Sequence, residues 1–110
     1  MFAEVKESLL ISGDDYDGQI IREIKAAALD LTTSAEIELP GTIEITISSQ
    51  GVITDTSTLT DELIITAIAT WCNMRIGNPP NYDKLLAAYN SMKGQLRLSK
   101  TYTASEVTTE

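Results

Sequence analysis

Three carboxylates and two glycines stand close together in residues 12–20, which read SGDDYDGQI. A calcium loop needs oxygen ligands at positions 1, 3 and 5, a glycine at position 6 and a glutamate at position 12. With Gly18 at the glycine position, the first and last ligand positions fall on Gly13 and Ile24, which have no ligating side chain. Shifting the register by one residue places a tyrosine and a glycine at the next two ligand positions. We therefore expect no metal at this stretch, and no cofactor in the protein.

The same carboxylates are typical of the start of a helix. Asp14 is placed to accept a hydrogen bond from the amide of Asp17, three residues later, as an N-cap side chain does. Asp15 and Asp17 would then lie in the first turn, where the helix dipole stabilises each negative charge by about 0.3–1 kcal/mol. Gly18 fits less well, because glycine inside a helix costs up to about 1 kcal/mol relative to alanine. We interpret the stretch as a helix start that is capped by Asp14.

Few residue types that carry catalytic chemistry are present. The chain has no histidine and one cysteine, Cys72, which removes the commonest general base and nearly every zinc site. It also has no glycine-rich phosphate loop and no Gly-x-Ser-x-Gly elbow. A hydrolase that uses two carboxylates stays open, but no acidic pair marks a site. We expect that the protein is not an enzyme.

Length and composition indicate one small domain. The 110 residues are 43% hydrophobic, which is enough for one modest core. No apolar run reaches the roughly 18 residues of a membrane span, and no signal-peptide pattern opens the chain. With a single cysteine, this favours synthesis in a cytoplasm and no membrane partner. Residues 1–100 are expected to form the domain, and residues 101–110, which lack apolar periodicity, a flexible tail.

The charge is distributed unevenly along the chain. The net charge is −8, but residues 1–70 contain thirteen acidic residues against three basic ones, and residues 71–105 contain five basic residues against one acidic one. An acidic first two-thirds argues against wrapping nucleic acid, because affinity for nucleic acid comes largely from neutralising phosphates. The same polarity can steer the basic end of one subunit toward the acidic part of another.

Two helices and a hairpin are predicted in the first half of the chain. Residues 2–10 and 15–34 have apolar residues at helical intervals, and residues 42–54 alternate apolar with polar residues around a Ser-Gln-Gly turn. The alternation begins before the hairpin and places acidic residues on one solvent-exposed face of this segment. This face is a candidate channel or interface face. Its acidic residues are Glu36, Glu38 and Glu44.

Two more helices follow. Thr58 or Thr60 is placed to cap a helix in which residues 63–76 are apolar almost all round, so it is either the centre of the domain or shared between subunits. Cys72 on it is interpreted as a core thiol. Residues 81–98 form the last helix. The predicted fold is therefore mainly α, with about four helices around a central apolar helix and a β-hairpin inserted between the second and third helices.

Aromatic and basic residues of the last helix allow two interpretations each. Tyr82 and Tyr89 could stack on bases, although packing in the core or an interface is favoured in an acidic chain. Lys93, Arg97 and Lys100 recur at i, i+4 and i+7, as a solvated face near the helix C-terminus or as a contact with acidic protein or phosphate. The spacing does not decide, and the three cations remain a candidate partner interface.

Six short segments follow one another along residues 1–100, and none of them is a catalytic signature. They are LLISGDDYD (9–17), IKAAA (24–28), IATW (68–71), RIGNP (75–79), YDKLLAAY (82–89) and KGQLR (93–97). In this order, the segments resemble the head–tail connector (adaptor) family of long-tailed bacteriophages. The middle of the chain departs from the resemblance, because the strand alternation stands where many relatives carry helix or an open loop.

The resemblance implies a structural virion protein at the head–tail junction. Such a subunit forms a ring, twelve-fold in the virion, beneath the portal protein, extends the channel through which DNA leaves, and carries a stopper or tail-completion protein. DNA passes through without specific binding, which agrees with an acidic face that repels it. Two alternatives stay open: a generic oligomeric interaction module, and a nucleic-acid-binding helical domain that uses Lys93, Arg97 and Lys100.

Overall fold

Four helices and one β-hairpin form the part of the chain that this computed structural model describes, residues 1–76 and 80–98. The predicted fold class is confirmed, with the hairpin between the second and third helices. The predicted tail, residues 101–110, lies outside the described residues. The elements are α1 (Phe2–Ser8), α2 (Asp17–Thr33), β1 (Ile45–Ile47), β2 (Ile53–Asp55), α3 (Glu62–Arg75) and α4 (Tyr82–Leu98).

Helix α3 is the centre of the bundle. It packs against α1, α2 and α4, and this explains why its sequence is apolar on most sides. Ile64, Ile68 and Cys72 on it are fully buried. At its start, the Asp61 carboxylate accepts a hydrogen bond from the amide of Ile64 over 3.1 Å. The prediction that Thr58 or Thr60 caps this helix is therefore wrong. The helix begins at Glu62, so the residue in the cap position is Asp61.

The start of α2 also differs from the capping interpretation. Tyr16 occupies the cap position, where no side chain caps the helix, and the backbone carbonyl of Asp14 accepts the amide of Asp17. The Asp14 carboxylate is 88% exposed and lies 3.7 Å from Lys6 Nζ. The Asp17 carboxylate is buried instead and accepts a hydrogen bond of 2.7 Å from Lys6 Nζ. Asp17 therefore ties α2 to α1, and Asp14 is not a cap.

Replacing Asp17 with alanine should lower the free energy of unfolding by about 1–2 kcal/mol, because Lys6 loses its charge-assisted partner in a partly buried position. The Asp14→Ala variant is the matched control and should change it by less than about 0.5 kcal/mol, as exposed ion pairs do. Urea denaturation of the three proteins measures both effects. A larger loss for Asp14→Ala than for Asp17→Ala would restore the capping interpretation.

Hydrogen bonds from backbone amides to side-chain hydroxyls extend the hairpin beyond its two short strands. The register pairs Ile45 with Asp55 and Ile47 with Ile53. Toward the bundle, the amides of Thr42 and Glu44 bond to hydroxyls on the returning chain rather than to carbonyls. The predicted alternation over residues 42–54 is therefore only partly regular strand. Gly51 takes a φ of 84° at the turn, a conformation that glycine adopts without steric cost.

Asp55 fastens the hairpin to the start of α1. Its Oδ2 accepts a hydrogen bond of 2.7 Å from the Phe2 amide and lies 3.1 Å from the Met1 amino group. Its Oδ1 accepts the amide of Ser57 over 3.0 Å. Burial acts to raise the pKa of the Asp55 carboxyl, but these hydrogen bonds outweigh it and hold the pKa well below its usual value. Asp55 is therefore charged in the folded protein at neutral pH.

Candidate interaction surfaces

The acidic residues predicted from the strand alternation all lie on the surface. Glu36, Glu38 and Glu44 are exposed, and Oε1 of Glu44 accepts a hydrogen bond of 2.9 Å from the Thr56 hydroxyl. They belong to a long segment, residues 26–74, that contains seven acidic residues and no lysine or arginine. This part of the chain therefore offers no cation of its own to a polyanion.

The hairpin has one polar and one apolar face. Thr46 pairs with Thr54 on the outer face, and both side chains are exposed. On the inner face Ile45 is buried against the bundle, whereas Ile47, nearer the turn, is 43% exposed. Val52, also next to the turn, is 59% exposed. The tip of the hairpin is thus an apolar surface that the described chain leaves uncovered.

The three predicted interface cations do not have equivalent surroundings. Lys93 Nζ donates to Asp30 Oδ2 and to Ser34 Oγ, each over 3.1 Å, and lies 5.3 Å from the centre of the Tyr89 ring. Arg97 is exposed near the end of α4. Lys100 lies outside the described residues. Lys93 is therefore engaged within the chain, and of the two described cations only Arg97 is free to meet a partner.

Two carboxylates on α2 each hold one aromatic donor and one cation of the neighbouring helices. Asp30 accepts a hydrogen bond of 2.6 Å from the hydroxyl of Tyr89 on α4, beside its bond from Lys93. The second set of contacts involves Glu23, Trp71 and Arg75: Trp71 Nε1 donates to Glu23 Oε1 over 2.9 Å, and Arg75 Nε lies 3.5 Å from the same oxygen. We call the two sets of contacts together the polar seam.

The polar seam binds α2 to α3 and to α4. Its rings also touch, since the centres of Trp71 and Tyr89 are 5.4 Å apart. The seam was not predicted from the sequence, although one signal was present: Glu23 and Asp30 are seven residues apart, so they lie two turns apart on one side of the helix. Of the two tyrosines considered for base stacking, Tyr89 is buried in this seam, and Tyr82 is partly exposed.

Groups that carry chemistry in other proteins are deactivated here. Burial, helped by the charge of Glu23, raises the pKa of the Cys72 thiol to about 12. Burial and the hydrogen bond to Asp30 also hold the pKa of Tyr89 far above its usual value. Among residues 1–76 and 80–98, no three histidine, cysteine, aspartate or glutamate side chains are placed together to hold a metal ion. The Cys72 thiol and the Tyr89 hydroxyl therefore both stay protonated at neutral pH.

Comparison with known proteins does not assign the chain to a family. No protein-family model, no curated protein and no solved structure matches the chain. None of the four described helices combines the length and apolarity that a bilayer crossing requires.

Proposed function

We propose that the protein is a structural subunit of a phage head–tail connector, located in the virion at the head–tail junction. Copies of the chain form a ring, twelve-fold in the virion, under the portal protein. The ring extends the DNA exit channel and gives a docking platform to a stopper or tail-completion protein. The order of the six sequence segments supports this proposal, together with the helical bundle and its inserted hairpin.

The observation that carries the proposal is the cation-free acidic segment, residues 26–74, with its three exposed glutamates. DNA that moves through a channel must not be held by the wall, and a wall of carboxylates and hydroxyls repels the phosphate backbone. The outer face of the hairpin has this character, with Glu44, Thr46 and Thr54 exposed. Binding to nucleic acid as the main function is less well supported, because Lys93 is already paired with Asp30.

The decisive experiment uses DNA-filled tailless heads made from the genome that encodes the chain. The purified protein is incubated with them, pelleted, and imaged by cryo-microscopy. We expect the protein to sediment with the heads and to add a ring of density below the portal. Heads with the portal omitted are the control and should not carry the protein. Equal sedimentation with both kinds of head, or no sedimentation with either, contradicts the proposal.

A charge variant tests the acidic face separately. Replacing Glu36, Glu38 and Glu44 with lysine places three cations on a surface that had none. We expect the unaltered protein to leave the mobility of duplex DNA unchanged at low salt, and the variant to retard it, with the effect lost as salt is added. Retardation of DNA by the unaltered protein would favour the nucleic-acid-binding alternative.

A further inference from the structure

The face of α2 that points away from the bundle carries two cations and a large apolar side chain. Arg22, Lys25 and Leu29 recur at intervals of three and four residues, opposite the buried stripe of the same helix. Leu29 is 63% exposed in the middle of the helix. Neither Arg22 nor Lys25 forms an ion pair with a residue that the structure describes. We call these three residues the outer strip.

A groove between α1 and α3 has the complementary character. It has a volume of about 310 Å³, with Glu4 and Glu62 on its walls and Ile65 and Ala69 as its apolar part. Glu4 lies 3.3 Å from the Met1 amino group, but its side chain is still 56% exposed. Glu62 is exposed as well. We call this the α1–α3 groove.

The outer strip and the α1–α3 groove lie on opposite sides of the subunit. The side of α3 that meets α2 is marked by Trp71, which bonds to Glu23. Thr66 and Asn73, which line the groove, lie about 140–160° around the axis of α3 from Trp71. The outer strip points away from α3 on the far side of α2. Two different surfaces on opposite sides are what a head-to-tail contact requires when identical subunits close into a ring.

We propose that the outer strip of one copy packs into the α1–α3 groove of the next copy. Arg22 and Lys25 face Glu4 and Glu62, and Leu29 covers the apolar part of the groove. The two surfaces also match in length. Leu29 follows Arg22 by seven positions in the strip, and Ala69 follows Glu62 by seven positions in the groove, which is about 10 Å along the helix in each case. This rests on the proposed function, because it supplies the subunit contact of that ring.

Charge reversal on each side tests the pairing. One variant carries Arg22→Glu with Lys25→Glu, and the other carries Glu4→Lys with Glu62→Lys. Each alone places like charges on both surfaces of the contact, so we expect self-association at low salt to weaken about tenfold or more. An equimolar mixture of the two restores opposite charges at every contact, and so does one chain with all four changes. Both should therefore associate like the original protein in sedimentation velocity.

A cross-link reports the same contact without altering charge. Leu29→Cys combined with Ala69→Cys should give a ladder of disulfide-linked oligomers under mild oxidation, because the two positions meet only between copies. Leu29→Cys combined with Gln95→Cys, on the exposed side of α4, is the control and should give little product. The original protein should give none, since its Cys72 is fully buried.

The outcomes separate this contact from the proposed function. Loss of association in both reversal variants without rescue in the mixture, or equal ladders from both cysteine pairs, overturns the contact. If the strip variant associates normally but no longer sediments with tailless heads, the outer strip meets the portal and the proposed self-contact is wrong. A ladder together with failure of the original protein to join heads leaves the contact standing and removes the connector function.

Discussion

The Ile68→Ala variant should lose about 2–5 kcal/mol of the free energy of unfolding, because it leaves a cavity in the middle of the bundle. Ile68 is fully buried on α3, the helix that the other three helices contact. No nearby element is free to close the space, since those helices also contact α3 at other positions. For a domain of this size each kcal/mol lowers the melting temperature by roughly 4–8 °C, so the decrease is easily seen by calorimetry.

Leu29→Ala is the matched control for this prediction. It removes a side chain of the same size from the exposed face of α2, where alanine and leucine have nearly equal helix propensity. We expect a change below about 0.5 kcal/mol. Equal losses from the two variants would mean that Leu29 is buried in solution, which self-association at the protein concentration used would produce. Repeating the measurement over a range of concentrations distinguishes that case.

Replacing Asp30 with alanine should cost about 2–3 kcal/mol, because two donors lose their acceptor at once. The Tyr89 hydroxyl belongs to a buried side chain, and Lys93 would keep only its bond to Ser34. Tyr89→Phe should cost less, about 1 kcal/mol, since Asp30 keeps its ion pair with Lys93. Urea denaturation at neutral pH measures both losses.

The double variant Asp30→Ala with Tyr89→Phe tests whether the hydrogen bond forms in solution. It should cost less than the sum of the two single variants, because the tyrosine hydroxyl that Asp30→Ala leaves unpaired is no longer present. Glu38→Ala, on an exposed carboxylate, is the control and should have little effect. Strict additivity of the two single losses would show that Asp30 and Tyr89 do not interact.

The local sequence pattern was sufficient to predict the helices, the hairpin and the exposure of the surface carboxylates. Apolar residues recur at helical spacing over residues 15–34 and alternate with polar ones around the Ser-Gln-Gly turn. Each pattern shows which side of one element faces the core, and a short window of sequence carries that information. The exposure of Glu36, Glu38 and Glu44 followed from the same alternation. Helix starts were predicted less well, because each is preceded by several side chains that are able to cap a helix: three aspartates near the start of α2, and two threonines and an aspartate before α3. Only Asp61 lies in the cap position, and no side chain caps α2.

By itself, the sequence determined that this is a small, mainly helical protein with a hairpin insertion, an acidic middle and a central apolar helix. Only the tertiary structure decided which charged groups have partners. Asp17 bonds to Lys6 on another helix, and Lys93 meets Asp30 sixty-three residues away in the chain. Charged side chains follow no periodicity that reveals their partners, since a contact between helices depends on how the helices cross and not on spacing within either one.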